Sequence, residues 1–363
     1  MKHTEIVVVG GGPAGLSAAV NAASMGAKVM VIDRNSKLGG QLVKQTHMFF
    51  GSQKQYASVR GIDIADILYD ELLKYKDNVE ILTDATVIGL YEDRMLTVEK
   101  DGRYLKIKPQ SIIVATGASE KFLTFPNNDL PGIYGAGAVQ TLMNVYGVAP
   151  GDSVLMLGAG NIGLIVSYQM MQAGIKVKAI IDAAPKIGGY SVHASKIRRM
   201  GVPIMTSTTV KYAHGNEKLE KVTVWKLDDK WQPMPGTEMD IEADVMCISV
   251  GLSPLGELLW QIGCDMKFIP ELGGHVPTRS EELETSVKDV YIAGDVAGVE
   301  EASSAMVEGR LAGLCAAKNL GYVSENFEAL KSDYLEQLDA LRSGPAGEKI
   351  RKGLEQSVVQ GGR

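Results

Sequence analysis

The sequence predicts an α/β fold built on two copies of a strand–glycine turn–helix–strand unit and closed by a helical tail. "TEIVVVG" is a Val-rich apolar run that ends in GGGPAG. "LSAAVNAASMGA" then reads as a helix with small residues on its packing face, and "KVMVID" as a second strand. That is one strand–helix–strand unit of about 30 residues. The same order returns in "DSVLMLGAGNIGLIVSYQMMQAGIKVKAIID", residues 152–182, about 150 residues further on. After Tyr322, apolar residues at Phe327, Leu330, Tyr334, Leu338 and Leu341 have the spacing of an amphipathic helix. Its apolar face should pack on the body or on a partner.

The intervening segments are β-rich. "VEILTDATVIGLYEDRMLTVEKDGRYLKIKPQSIIVATG" reads as several strands with a turn at Asp101-Gly102. Pro126, Asn127, Asn128, Pro131 and Gly132 form a loop that suits an interdomain hinge. Beyond the second unit, "KVTVWKL" and "EADVMCISVG" are strands, and "DVYIAGDVAGVEEASSAMVEGRLAGLCAAKNLG" is a strand running into a small-residue helix.

Composition narrows the function. The 363 residues suffice for two domains, and 45% hydrophobic with 22% charged residues is ordinary for a globular protein. Glycine, at 41 residues, exceeds the usual ~7%, as expected of turns that approach a ligand. The net charge is −6 and Lys and Arg are not clustered, which argues against nucleic acid as a partner. No apolar span of about 20 residues suggests a membrane crossing. The chain enters a strand at once, so no signal peptide is expected. Cys247, Cys264 and Cys315 lie far apart and no C-x-x-C exists, against a disulfide scaffold or a Cys-based zinc site. A reducing cytoplasm suits them, each as a small buried hydrophobe. His3, His193, His214 and His275 show no ligand pairing, so no metal site is expected. Arg279 and Glu308 read as surface or structural charges.

Each glycine turn is a complete fingerprint. Gly10, Gly12 and Gly15 follow a strand and open a helix. The first glycine makes the tight turn, the second admits a pyrophosphate to the backbone, and the third lets the helix pack on the strand. Free N–H groups at the helix start face the phosphates. Asp33, 18 residues after Gly15, is placed to hold a ribose hydroxyl. Gly158, Gly160 and Gly163 repeat the pattern, with Asp182 after 19 residues. A carboxylate there repels a 2′-phosphate and no Arg directly follows the strand, so NAD(H) is expected over NADP(H). Arg198 and Arg199 would weaken that preference if they reached the site. Two such sites in one chain suggest FAD and a nicotinamide passing electrons between them.

Four ordered motifs carry a resemblance: GGGPAG at 10–15, "IIVATGAS" at 112–119, GAGNIG at 158–163 and "VYIAGDVAG" at 290–298. The chain resembles the flavoproteins with two Rossmann-like dinucleotide-binding domains, thioredoxin reductase above all. The resemblance implies a discontinuous FAD-binding domain (1–118 and 246–322), an inserted NAD-binding domain (119–245) and a C-terminal helical extension (323–363). It implies that Gly10, Gly12, Pro13, Ala14, Gly15, Asp33, Arg34, Gly40 and Gln41 line the FAD, with Val87 near the adenine. Ala115, Thr116 and Gly117 would lie beside the pyrophosphate. Gly294 and Asp295 would hold the ribityl chain, and the helix from Ala302 would point its N-terminus at the flavin pyrimidine. Gly158, Gly160, Asn161, Ile162, Gly163, Asp182 and Gly251 would hold NAD. A homodimer is implied as well.

One departure matters. Thioredoxin reductases carry a C-x-x-C in the nicotinamide domain, whereas "GAGAVQTLMNVYGVAPGD" has no Cys. The sequence is therefore expected to be an FAD-dependent oxidoreductase that exchanges hydride with NAD(H) and serves a small-molecule substrate or a redox partner protein without a dithiol relay. Exchange in that family needs a domain rotation, here about segments 119–130 and 245–252. "LPGIYGAGAVQTLM" and "GVEEASSAMVEGRLAG" are similar to FAD subunits of hydrogen cyanide synthase, opine oxidase and sarcosine or proline dehydrogenases. The alternative is thus one component of a hetero-oligomeric amine or amino-acid dehydrogenase, with the tail in its interface.

"LVKQTHMFFGSQKQY" follows Gly40-Gln41 and is expected near the flavin ring. His47 is a candidate proton donor or acceptor and Lys44 a candidate stabiliser of negative charge on the flavin. Phe49 or Phe50 would stack on a substrate or shield the flavin. The competing reading is a hydrogen-bonded loop histidine beside a core Phe pair.

Overall fold

The computed structural model describes residues 1–359. The chain forms two compact units, Met1–Ser119 with the chain from Leu252 onward, and Glu120–Gly251.

The first unit is built on a seven-stranded sheet. Its order is Val79–Leu82, Val29–Ile32, Lys2–Val9, Arg103–Val114, Leu96–Lys100 and Ala85–Leu90, with Val290–Ile292 also on Arg103–Val114. Lys2–Val9 pairs in parallel with both neighbours, and Val290–Ile292 is parallel to Arg103–Val114. Arg103–Val114 does two jobs. Its first half closes an antiparallel hairpin through Asp101-Gly102, with Lys100 opposite Arg103. Its last four residues are fully buried in the parallel region. Alternation sorts the side chains. Ile6, Val8, Val29, Val31 and Ile113 face a core with helices Pro13–Ser24, Gly61–Leu73 and Ala302–Asn319. Val7, Val9, Met30, Ile32 and Ile112 face a second core with Leu96, Val98, Leu258 and Leu259. This two-sided burial explains the continuous apolar runs.

Helices Pro13–Ser24 and Ala302–Asn319 meet backbone to backbone. A Cβ on Gly309 would lie 2.1 Å from the Ala14 carbonyl oxygen, and one on Gly313 would lie 2.2 Å from that of Ala18. The tail forms helices Phe327–Leu341 and Gly344–Ser357. Phe327, Tyr334 and Leu338 are buried in the first unit's own core, and Tyr334 Oη accepts from Asn21 Nδ2 at 2.9 Å. The apolar face expected to pack on the body or a partner is thus packed on the body.

The second unit holds a parallel five-stranded sheet, ordered Ile204–Met205, Lys176–Ile181, Ser153–Leu157, Val245–Ile248 and Ile133–Gly135. Helices Ala136–Asn144, Asn161–Gln172 and Ser191–Arg199 accompany it, with a three-stranded antiparallel sheet, Thr208–His214, Lys221–Lys226 and Met239–Glu242. One expected boundary and one expected hinge differ from these units. The chain leaves this unit after Gly251, not after residue 245, because Val245–Ile248 pairs with Ser153–Leu157 inside its sheet. The segment 126–132, expected as a hinge, is anchored within the unit. Asn127 Nδ2 donates to the Ala213 carbonyl at 3.0 Å, and Leu219 N–H to that of Pro131 at 2.8 Å.

Candidate functional site

Register brings the first set of residues together. Val9 lies opposite Ile32 and Val114, and Ile292 opposite Val114. Gly10, Asp33, Ala115 and Gly294 therefore emerge at one carboxyl edge of the sheet, where ligands bind in open α/β folds. Gly10 has φ +103°, and a Cβ there would lie 2.3 Å from the Ala115 carbonyl oxygen. A Cβ on Gly15 would lie 1.8 Å from the Gly10 carbonyl oxygen. Pro13 opens the helix, where its missing N–H costs nothing, and Ala14 faces Gly294. Gly12 differs. A Cβ there would only touch the Gly40 Cα at 3.7 Å. The protein's own packing does not demand glycine at this position, so the room beside it fits a ligand group.

Asp33 is buried, and its Oδ2 accepts from Gly11 N–H at 2.7 Å while Oδ1 accepts from Asn35 N–H at 2.7 Å. The acid first of all holds the turn. Arg34 is exposed. Ala85 N–H donates to the Asp33 carbonyl at 3.0 Å, which sets Val87 two residues along a strand starting beside the acid. Thr116 Oγ1 donates to the Leu255 carbonyl at 2.7 Å, and a Cβ on Gly117 would meet nothing within 4 Å.

The loop singled out by sequence abuts the turn. Gly39 N–H donates to the Gly11 carbonyl at 2.7 Å, and the chain continues as a 3-10 helix, Gly40–Lys44, with Gln41 exposed and Lys44 in its last turn. The Phe pair divides. Phe49 is buried and its ring stacks 5.8 Å from that of His47, whereas Phe50 is 61% exposed. Phe49 N–H donates to the Val59 carbonyl at 2.9 Å, and Ser58 N–H to that of Phe49 at 2.9 Å, so this stretch is a folded loop rather than an open flap.

Gly294 N–H donates to Glu308 Oε2 at 2.9 Å. Asp295 Oδ1 accepts from Glu300 N–H at 3.3 Å. Burial, with the like charges of Glu308, Glu300 and Glu301, pushes the Asp295 carboxyl up to about 7. Helix Ala302–Asn319 begins just beyond. Sequence reasoning left Glu308 and Arg279 as surface or structural charges. They are structural, a buried ion pair at 3.0 Å beside the Gly294 turn. A charged residue inside the small-residue run "AMVEGRLAG" was the available signal.

The second set repeats the first. Leu157 lies opposite Ile181 and Ile248, which gathers Gly158, Asp182 and Ser249 at one edge. Gly158 has φ +113°, with a would-be Cβ 2.1 Å from the Ser249 carbonyl oxygen, and a Cβ on Gly163 would lie 2.0 Å from the Gly158 carbonyl oxygen. Gly160 meets nothing within 4 Å. Asp182 accepts from Ala159 N–H at 2.6 Å and from Ala184 N–H at 2.8 Å. Asn161 Oδ1 accepts from Tyr190 N–H at 2.8 Å, Ile162 is partly exposed beside it, and Gly251 lies two residues past Ser249. Helix Ser191–Arg199 starts at this end, so Arg198 and Arg199 lie at its far end, ~12 Å along it.

Residues 4–309 match the pyridine nucleotide-disulphide oxidoreductase family. The chain belongs to that family. The family implies FAD and a nicotinamide cofactor, and the middle-glycine cradles fit such groups. This family member is 26% identical over 341 residues to an opine oxidase subunit of Agrobacterium tumefaciens (strain Ach5), covering 88% of this chain and 66% of that one. It is 24% identical over 377 residues to the HcnB subunit of hydrogen cyanide synthase from Pseudomonas aeruginosa, covering 98% and 79%. The crystal structure of T. acidophilum thioredoxin reductase shares the fold, with a TM-score of 0.72, 23% identity, and 88% of this chain and 99% of that one covered. The chain is thus an oxidoreductase with a thioredoxin reductase-like fold. Among the described residues, no helix is long and apolar enough to cross a membrane.

Proposed function

We propose that the first glycine turn binds FAD, the second binds NAD(H), and the chain exchanges a hydride between them on behalf of a second substrate or partner that is not a dithiol. The observation that carries this reading is the doubled geometry. In each turn the first and third glycines are forced by carbonyl contacts, while the protein's own packing does not force the middle one. FAD, when bound, supplies the ability to take two electrons as hydride and to release them singly.

The chain's residues then have separable tasks. Gly12 and the free N–H groups of helix Pro13–Ser24 cradle the pyrophosphate, and Asp33 keeps a lone pair for a ribose hydroxyl while it holds the turn. Gly294 and Asp295 orient the ribityl chain, and Val87 lines the adenine end. Lys44 and His47 follow Gly40-Gln41 on the loop lying on the turn, Lys44 to favour negative charge and His47 to move a proton. Asp182 accepts from ribose hydroxyls and disfavours a 2′-phosphate. With Arg198 and Arg199 at the far end of their helix, NADH is the preferred nicotinamide.

Thioredoxin reduction is disfavoured. No two of Cys247, Cys264 and Cys315 are near in sequence, all three are buried, and burial pushes each thiol up, Cys315 to about 12. Thiols this reluctant to ionise are poor nucleophiles, and they suit a reducing compartment such as the cytoplasm.

A second reading rests on the named relatives, two of which are subunits. Here the chain is the FAD- and NAD-binding component of an amine or amino-acid dehydrogenase. The tail's buried face belongs to its own body, so such an interface would lie elsewhere. A homodimer is the other expected assembly. Anaerobic titration of the purified protein with NADH and, in parallel, NADPH tests the leading reading. Bleaching of a flavin band by NADH at lower concentration supports it. A flavin bleached by neither nucleotide overturns it and turns the search to amine donors.

A further inference from the structure

The family match ends at residue 309, yet a side chain from the extension beyond it reaches the turn that precedes helix Ala302–Asn319. Arg342 follows helix Phe327–Leu341, and its side chain is 11% exposed. Its Nε donates to Glu300 Oε2 at 3.0 Å and its Nη2 to Glu300 Oε1 at 2.8 Å, a two-pronged grip on one carboxylate. Nη2 also donates to Glu308 Oε1 at 2.6 Å, the oxygen that accepts from Arg279 Nη1. Glu308 Oε2 in turn holds Gly294 N–H, and Glu300 N–H donates to Asp295. Two short chains of contacts therefore run from Arg342 to the two residues assigned to the ribityl chain. Gln55 Nε2 of the opposite loop donates to Gln337 Oε1 at 2.5 Å, and Lys54 pairs with Asp333 at 2.6 Å, so the same helix also holds the loop that lies on the first glycine turn.

We infer that Arg342 is a positioning residue for the flavin, and that the C-terminal extension braces the flavin site by neutralising Glu300 and Glu308 beside the Gly294-Asp295 turn. This rests on the reading that FAD occupies the first glycine turn. Three carboxylates, Asp295, Glu300 and Glu308, crowd this turn against two guanidinium groups. Without Arg342, Glu300 loses both bonds to its side chain and becomes an unpaired charge with little access to water. Relief comes by moving the turn or by protonation, and either disturbs Asp295. An uncompensated negative charge near the flavin also opposes charge build-up on it.

The experiment compares FAD dissociation constants and flavin midpoint potentials for wild type, Arg342→Gln, Arg342→Lys and the double variant Arg342→Gln/Glu300→Gln, with fold checked by circular dichroism. Arg342→Gln is expected to weaken FAD binding on the order of tenfold and to lower the potential. Arg342→Lys should recover part of both. The double variant should recover most of both, which a purely structural role for Arg342 would not allow. A folded Arg342→Gln with wild-type affinity and potential overturns the inference. If that variant does not fold, failure of the double variant to restore binding overturns it. A wild-type protein that takes up no FAD overturns the underlying reading as well, and is told apart because it is seen before any variant is made.

Discussion

The two glycine turns share a backbone but not a setting. In both, an acid at the end of the second strand accepts the N–H of the residue after the first glycine, Gly11 for Asp33 and Ala159 for Asp182. The first and third glycines are dictated by carbonyl oxygens within about 2 Å of a would-be Cβ. The first turn is then covered. Leu38, the Gly39-Gly40 corner, Gly294 and helix Ala302–Asn319 crowd it, and Asp33 is 7% exposed. The second has a glycine corner of its own, Gly189 N–H donating to the Ala159 carbonyl at 2.9 Å, but Asp182 is only half-buried. One backbone plan is used twice, and what differs is how deeply the acid beside it is buried.

The shared frame is the place to break both sites. Gly15→Ala and Gly163→Ala each drive a Cβ into a backbone carbonyl that cannot step aside. Each should cost more than about 3 kcal/mol, visible as loss of the folded baseline in urea melts. Wild-type melting by either variant would mean that the turns yield to a methyl group.

Asp295 has no counterpart in the second turn, so it sharpens the contrast. An acid whose folded pKa is raised binds more protons folded than unfolded between its ordinary 3.8 and about 7. Stability of the FAD-free protein should therefore fall as pH rises through that window. Asp295→Asn should gain on the order of 3 kcal/mol over wild type at pH 8 and close to nothing at pH 4. Equal gains at both pH values would show that Asp295 is not held neutral.

The middle glycines separate fold from ligand. Gly12→Ala and Gly160→Ala should melt within about 0.5 kcal/mol of wild type. Gly12→Ala should lose FAD content on purification, and Gly160→Ala should raise the NADH concentration needed for flavin bleaching by roughly tenfold, ~1.4 kcal/mol. The smallest effect is expected from Asp182→Asn, which keeps the shape and drops the charge. The preference for NADH over NADPH should shrink a few-fold, on the order of 1 kcal/mol.

Much of this was legible because it is local. The strand–turn–helix units, the Asp101-Gly102 hairpin, the tail helix from Phe327 and the buried cysteines follow from periodicity and residue type. Register was not legible, and register brings Gly10, Asp33, Ala115 and Gly294 to one edge from four distant segments. It also moved the end of the second unit to Gly251, since an apolar run such as "VMCI" carries no mark of which sheet it joins. Phe49 and Phe50 were a pair in sequence, and a one-residue step put one in the core and the other outside.

The sequence by itself determined the two turns and the oxidoreductase family they belong to, because glycine spacing acts through the backbone over a dozen residues. Only the tertiary structure decided that Arg342, Arg279, Glu300 and Glu308 converge on the Gly294-Asp295 turn. Those four charges come from three segments, and nothing local records that burial makes each depend on the others.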